Sequence, residues 1–250
     1  MNTTTQNFKR AILLFTRSPE NEARHKPLAR LSFAERVGLY ESCTRHVLAQ
    51  AHALDYPILV ATDEPDYNFA RYSQNVAAVF QQRGNSFGGK LSHALQAAFA
   101  QGYDEIVCVG NDCLELSSGD LRTAFARLAQ QDLTLGAAED GGVYLIGIRR
   151  ESLRAVQECH WQTAIVLDDL LASARRYAIA TGVLCKLGDV DTAEGLMRAR
   201  RRLPELAFLR KYSRLLLFVP APSREALLHR HLTCHYDPLR FQKSPPAFPR

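Results

Sequence analysis

From residue 10 to about residue 200, short apolar runs of strand length alternate with stretches whose apolar residues recur at helical spacing. Arg10 to Thr16 predicts a first strand. Behind it, Phe33, Val37, Tyr40, Val47, Leu48, Ala51 and Leu54 predict a long helix opened by Ser32 as N-cap. Pro57 to Thr62 and Val76 to Phe80 predict two more strands, and a helix over Lys90 to Ala100 follows the Gly-rich stretch Gly84 to Gly89. Asp104 to Gly110 is the expected fourth strand. Asn111 to Leu116 then reads as a loop, and Ser117 or Ser118 caps a helix carrying Leu121, Ala124, Phe125 and Leu128. Leu133 to Ala137, Val143 to Ile148 and Ile179 to Leu187 predict further strands. One more helix is marked by Leu167, Leu170, Leu171, Ala174 and Ala178, and a basic one spans Thr192 to Arg202. Alternation of this kind implies parallel βαβ units in an α/β sandwich. Past Pro204 the text changes: Leu206 to Val219 fits helix or strand, and the Pro-rich segment 244–249 reads as irregular. The expected division is a main domain over 1–203 and a C-terminal extension over 204–250.

Composition narrows the class. The chain has 250 residues, 46% hydrophobic and 23% charged, which excludes disordered, collagen-like and rod-like proteins and leaves enough apolar surface for a large core. The longest apolar runs, Ala11 to Phe15 and Leu215 to Val219, are far short of the roughly 20 residues of a bilayer-spanning helix. Met1 to Phe8 is rich in Asn, Thr and Gln and does not read as a signal peptide, so a cytoplasmic protein is expected. Six cysteines without CxxC spacing are expected to be free thiols. The net charge of +5 resides in the tail: residues 201–250 hold ten Lys/Arg against three Asp/Glu, so the remainder is close to neutral. The tail's basic residues are dispersed and carry no nucleic-acid-binding motif.

In open α/β sheets ligands bind beyond the carboxyl ends of the strands, so the loops after strands are where chemistry is sought. Thr16-Arg17-Ser18-Pro19 with Arg24, His25, Lys26 and Arg30 forms a cationic segment suited to a di- or triphosphate, or simply a solvated loop. Asp112 in Gly110-Asn111-Asp112-Cys113 suits a hard divalent cation, or caps a turn. Glu139-Asp140-Gly141-Gly142 joins two carboxylates to two glycines, a pattern equally expected of a hairpin turn. Asp189-Val190-Asp191-Thr192 is a third acidic group, in which Asp191 or Thr192 can cap the next helix. Three acidic clusters at strand ends beside a cationic loop favour a metal-assisted phosphate site. Trp161 is a core anchor or a stacking platform for a sugar or base. Gly84 to Gly89 matches neither GxGxxG nor a P-loop, and no GxSxG elbow is present. His229, His231, Cys234 and His235 match no common zinc spacing.

These residues resemble the bacterial glycosyltransferase-like proteins long labelled only as a domain of unknown function. The resemblance is carried by Phe15 to Pro19, by Gly110 to Cys113, by Ala138-Glu139-Asp140-Gly141-Gly142-Val143-Tyr144-Leu145-Ile146-Gly147, by Trp161 with Thr163, and by Asp189 to Thr192. It implies a GT-A, nucleotide-diphospho-sugar transferase fold: a three-layer α/β/α sandwich around a mostly parallel mixed sheet. It further implies Asp112 and Asp191 as ligands of Mg²⁺ or Mn²⁺, with Thr16, Arg17, Lys26 and Arg30 on the nucleotide and its phosphates. Asp140 with Glu139 would act on the acceptor, and Gly141, Gly142 and Trp161 would line the substrate. The family's Pro-Gly and Lys-Thr-Arg in the first loop are replaced here by Pro19-Glu20-Asn21 and Lys26-Pro27-Leu28-Ala29-Arg30, and Lys90 stands where the family has an acid.

The expected function is a metal-dependent glycosyltransferase that joins a sugar from a nucleotide-diphospho-sugar donor to a hydroxyl acceptor, with a homodimer as an expected assembly. The alternatives are a nucleotidylyltransferase acting on a nucleoside triphosphate and a non-catalytic nucleotide- or partner-binding protein. Residues 11–31 lack the glycines of a nucleotidylyltransferase phosphate loop.

Overall fold

The computed structural model describes residues 9–26, 28 and 30–218. Seven strands form one sheet in the order β3-β2-β1-β4-β6-β5-β7. They are β1 (Arg10–Phe15), β2 (Ile58–Thr62), β3 (Val76–Gln81), β4 (Glu105–Val109), β5 (Leu133–Ala138), β6 (Val143–Arg149) and β7 (Thr181–Leu187). β1 pairs in parallel with β2 and β4, β2 with β3, and β5 with β7, whereas β6 runs antiparallel to both β4 and β5. The sheet is therefore mixed and mostly parallel, as the resemblance implies, and the run of parallel units expected from alternation alone is interrupted at β6. A βαβ crossover needs a dozen or more residues between strands. Only Glu139 to Gly142 separate β5 from β6, so the chain must turn back on itself.

Eight α-helices flank the sheet among the described residues: α1 (Pro19–His25), α2 (Phe33–His52), α3 (Phe87–Ala100), α4 (Ser118–Leu128), α5 (Leu153–Gln157), α6 (Val166–Arg176), α7 (Ala193–Arg202) and α8 (Ala207–Phe218). Period-two alternation along the strands feeds two cores. Ala11, Leu13, Leu59, Ala61, Ile106 and Cys108 face α3, α5 and α6. Ile12, Leu14, Ile58, Val60, Val107 and Val109 face α2 and α4. All five residues of β2 and of β4 are buried, the pattern of strands covered on both faces. A third cluster joins Leu39 and Cys43 of α2 to Leu196 and Ala199 of α7 and to Leu209 and Tyr212 of α8. The stretch left open between helix and strand is thus helical, and its apolar stripe packs on α2 and α7. Residues 219–250, including the His229, His231, Cys234 and His235 group, lie outside the described residues.

Two local choices place the elements around the site. Ser18 caps α1 by accepting from the Asn21 N–H, Pro19 occupies the first turn, and the Ser18 N–H donates to Asp63 beyond β2. The segment expected to be a loop is therefore a seven-residue helix. At α3, Ser86 is the N-cap, and Gly88 lies flush against the Trp161 indole, where a Cβ would overlap the ring. Phe15, Phe87 and Trp161 form a contiguous aromatic row, with ring centroids 5.5 and 5.4 Å apart.

At the opposite end of the sheet Glu105 is fully buried and shared by Arg10 at 2.9 Å and Arg149 at 2.8 Å, which ties β1, β4 and β6 together. Replacing Glu105 with Ala is expected to cost about 2–4 kcal/mol in urea unfolding, because the buried carboxylate that joins Arg10 to Arg149 is lost; an unchanged midpoint would remove this role. Gly88→Ala is expected to expel the indole from its seat. Trp161 is the sole tryptophan, so the change reads directly as a red-shifted fluorescence maximum, and an unshifted spectrum would count against the close packing.

Candidate functional site

With six strands pointing one way and β6 the other, one edge of the sheet collects the ends of β1, β3, β4, β5 and β7 and the β5–β6 turn. A cavity of about 550 Å³ opens there. Its walls include Thr16 and Arg17 after β1, Gln82 after β3, Lys90 of α3, Asp112 after β4, Asp140 and Gly142 of the turn, and Asp189 and Asp191 after β7. The aromatic row lines another part of the same cavity.

The charged wall is organised by Lys26 at the end of α1. Its Nζ lies 2.6 Å from Asp112 Oδ2, 2.6 Å from Asp191 Oδ1 and 2.8 Å from Glu22 Oε1. Arg17 reaches the other oxygen of Glu22 at 3.2 Å. Burial by itself would lower the pKa of Lys26, but Asp112, Glu22 and Asp191 outweigh it and hold the ammonium well above the ordinary lysine value. Burial raises Asp112 and Lys26 more than reverses it, leaving that carboxyl below its usual range. Asp191 is pushed up, by burial first and then by the neighbouring Asp112 charge. Asp189 is raised by burial and by Asp112 and Asp140. The segment after β7 is held against the β4 loop by the Val190 N–H, which donates to the Asp112 carbonyl at 3.1 Å.

The β5–β6 turn is built by the Asp-Gly chemistry that its sequence suggests. Ala138 N–H donates to the Gly142 carbonyl at 3.0 Å, and the Asp140 Oδ1 accepts from the Gly142 N–H at 2.8 Å. Gly141 has φ +90°, and a Cβ there would collide with the Ala164 carbonyl. The Leu167 N–H in turn donates to the Gly141 carbonyl at 3.0 Å, which ties the turn to α6. Trp161 Nε1 donates to the Val156 carbonyl at 3.0 Å, so the ring is both packed in the core and present in the cavity wall.

Of the residues singled out in the sequence, Thr16, Arg17, Lys26, Asp112, Asp140, Gly142, Trp161 and Asp191 line this cavity together. Glu139, Gly141 and Arg30 lie outside its lining. Glu139 is turned instead to Arg198 and Arg202 of α7, each at 3.0 Å. Thr192 caps α7 through the Gly195 N–H, so Asp191 is not needed for that cap. Two residues escaped the sequence reading. Glu22 is buried and holds Lys26 one helical turn away; it becomes legible once Ser18-Pro19 is read as a helix start. Gln82 is fixed by donating Nε2 to the Thr16 and Ala61 carbonyls, a tertiary contact with no local sequence signal.

Among the described residues no group of three or more His, Cys, Asp or Glu side chains is arranged to hold a metal ion. The two carboxylates of Asp112 and Asp191 nevertheless converge on one point, held here by the ammonium. One or two carboxylates completed by phosphate oxygens are the donor set that suits Mg²⁺, so these residues fit such an ion at that point.

No curated protein matches the chain. Residues 44–163 match the model of a family described as "Uncharacterized protein conserved in bacteria (DUF2064)", a span that contains the Gly110 to Cys113 and Ala138 to Gly147 motifs and Trp161 with Thr163. A provisionally assigned nucleotide-diphospho-sugar transferase from Desulfovibrio desulfuricans G20 is 24% identical with a TM-score of 0.70, over 90% of this chain and 99% of that one. A cytidylyltransferase from Leptospira borgpetersenii is 12% identical with a TM-score of 0.51, over 86% of this chain and 100% of that one. The 4-diphosphocytidyl-2C-methyl-D-erythritol synthase of Anaerococcus prevotii is 7% identical with a TM-score of 0.53, over 78% and 97% of the two chains. No helix among the described residues is long and apolar enough to cross a membrane. The family resemblance carried by the motifs is thereby borne out: across residues 44–163 this chain bears the DUF2064 pattern, on a nucleotide-diphospho-sugar transferase fold.

Proposed function

We propose that the chain is a transferase that takes a nucleotide-diphospho-sugar donor in the cavity at the carboxyl edge of the sheet and passes the sugar to a hydroxyl acceptor. The observation that carries this reading is the convergence of Asp112 and Asp191 on one cation position, in a cavity of about 550 Å³ that Arg17, Lys90 and the aromatic row also line. An anionic group fits the charged wall and a planar or sugar ring fits Phe15, Phe87 and Trp161. Asp112 and Asp191 would hold Mg²⁺ or Mn²⁺, which when bound neutralises the diphosphate as it leaves. Arg17, Lys26 and Lys90 supply donors to the phosphate oxygens. Thr16, with its backbone fixed to Ala61 and Gln82, positions the segment that faces the nucleotide.

Asp140 would take the acceptor proton. One of its oxygens is engaged by the Gly142 N–H, which fixes the carboxylate and leaves the other oxygen for a hydroxyl. Glu139, engaged by two arginines of α7, supports the turn rather than the proton transfer.

A nucleotidylyltransferase is the second reading, favoured by the cytidylyltransferases that share the fold. The two readings part on the ligand. Thermal-shift measurements with UDP-, GDP-, ADP- and dTDP-sugars and with nucleoside triphosphates, each with and without Mn²⁺, are expected to show metal-dependent stabilisation by one nucleotide-sugar, about 2.7 kcal/mol at a hundredfold excess over Kd. Asp112→Ala should abolish it. Stabilisation by triphosphates alone would install the second reading, and no shift with any ligand would remove both. With donor and acceptor in hand, Asp140→Asn is expected to lower the transfer rate by about 10²- to 10⁴-fold with donor binding unchanged; full activity would take the base assignment away.

A further inference from the structure

Lys26 was expected on the donor phosphates, yet both of its 2.6 Å contacts go to the carboxylates proposed to hold the divalent cation. Its Nζ stands at the point on which Asp112 and Asp191 converge. An ammonium and a divalent ion cannot share that point, because both are cations and both need the same oxygens. The ammonium is also not free to leave by itself. Its side chain is 18% exposed, so departure from Asp112 and Asp191 leaves a largely buried charge short of partners. Glu22, at 2.8 Å, is the partner that would remain, but its second oxygen already carries Arg17. An anion that enters the same cavity can receive the ammonium, since Lys26 and Arg17 both line it.

We propose that the Lys26 ammonium and a divalent cation compete for Asp112 and Asp191, and that the cation displaces the ammonium only where a phosphate group is present to receive it. Lys26 is in this sense a positioning residue: it neutralises the acid pair, then passes to the phosphate as the ion takes its place. The anion that triggers the exchange is a diphosphate or a closely related phosphate ester, and binding of ion and anion is cooperative because each removes the other's obstacle. The inference rests on the cation-assisted reading given above.

The test is Mn²⁺ binding, counted from the loss of the free-ion electron paramagnetic resonance signal, with no nucleotide present. The wild type is expected to bind Mn²⁺ weakly. Lys26→Met and Lys26→Gln are expected to bind it at least about tenfold more tightly, in the range of coupling between close charges, and Asp112→Asn added to either should abolish the gain. Pyrophosphate, read against a protein-free control, should tighten Mn²⁺ binding to the wild type and do so less in the variants. Wild-type affinity equal to that of the variants overturns the competition while leaving the metal-assisted reading standing. Absence of Mn²⁺ binding by every protein, with and without pyrophosphate, overturns both. Should neither variant fold, as judged by its melting curve, the wild type decides: Mn²⁺ and pyrophosphate that bind independently of one another refute the exchange.

Discussion

Three carboxylates from three distant parts of the chain meet at one ammonium, and the carboxyl edge of the sheet depends on that meeting. Glu22 comes from α1, Asp112 from the end of β4 and Asp191 from the segment after β7. Left to themselves such like charges push apart, more strongly where water is thin. Lys26 reverses the sign of the interaction and makes the cluster cohesive. The consequence is largest for the segment after β7, since β6 and β5 lie between β7 and β4 in the sheet. That segment must run back over the ends of two strands to reach Asp112. It is kept there by the Lys26 ion pair, by the Val190 N–H on the Asp112 carbonyl, and by the Val190 side chain buried with Leu39, Leu196 and Tyr212. The third core cluster, which includes α8, therefore serves the site: it anchors the strap that carries Asp191.

The reversed strand β6 does the complementary work on the other side. In an all-parallel sheet the residues following β5 would leave on a crossover helix, and the next strand would begin at the opposite edge. Here Glu139 to Gly142 turn the chain within four residues, so Asp140 stays at the edge where β1, β4 and β7 end. The turn is then locked from outside, because Gly141 accepts from the Leu167 N–H and closes on Ala164 too tightly for any side chain. Asp140 is thereby held by the sheet below and α6 above. Rigid support of this kind is what a group needs if it is to meet a hydroxyl proton at hydrogen-bond distance.

Much of this was legible in the sequence where the signal is local. The apolar runs of β1, β2 and β4 are buried on both faces and read as strands without help from their neighbours. Asp140-Gly141 announces its turn, and Ser32 and Ser117 announce their helices with full capping boxes. The family resemblance implied a mixed sheet but did not say which strand reverses, and periodicity, which is the same for parallel and antiparallel strands, could not say that it is β6. α1 was hidden by its charge: the residues that make it look like a solvated cationic loop also contain Ser18, Pro19, Glu20 and Glu22, the signature of a helix start. Missing the helix meant missing Glu22, and with it the one-turn spacing that points Lys26 inward. The pairing of Lys26 with Asp112 and Asp191 spans 86 and 165 positions of chain, and no window of sequence contains it.

The two parts of the cavity lining rest on different parts of the protein, one held by packing and the other by charge. Phe15, Phe87 and Trp161 belong to the first core, where Gly88 seats the indole and Val156 takes its N–H. Their positions are set by packing, which admits little displacement. Lys26, Asp112 and Asp191 stand beside the third, smaller cluster and are positioned by charge, with Asp112 and Asp191 still 28% and 40% exposed. Asp112 and Asp191 are thus more open to water than the Lys26 side chain that joins them, which is 18% exposed. The division follows from the fold: the end of β1, the start of α3 and the segment between α5 and α6 carry the aromatic row, and the end of α1 with the loops beyond β4 and β7 carries the charged group.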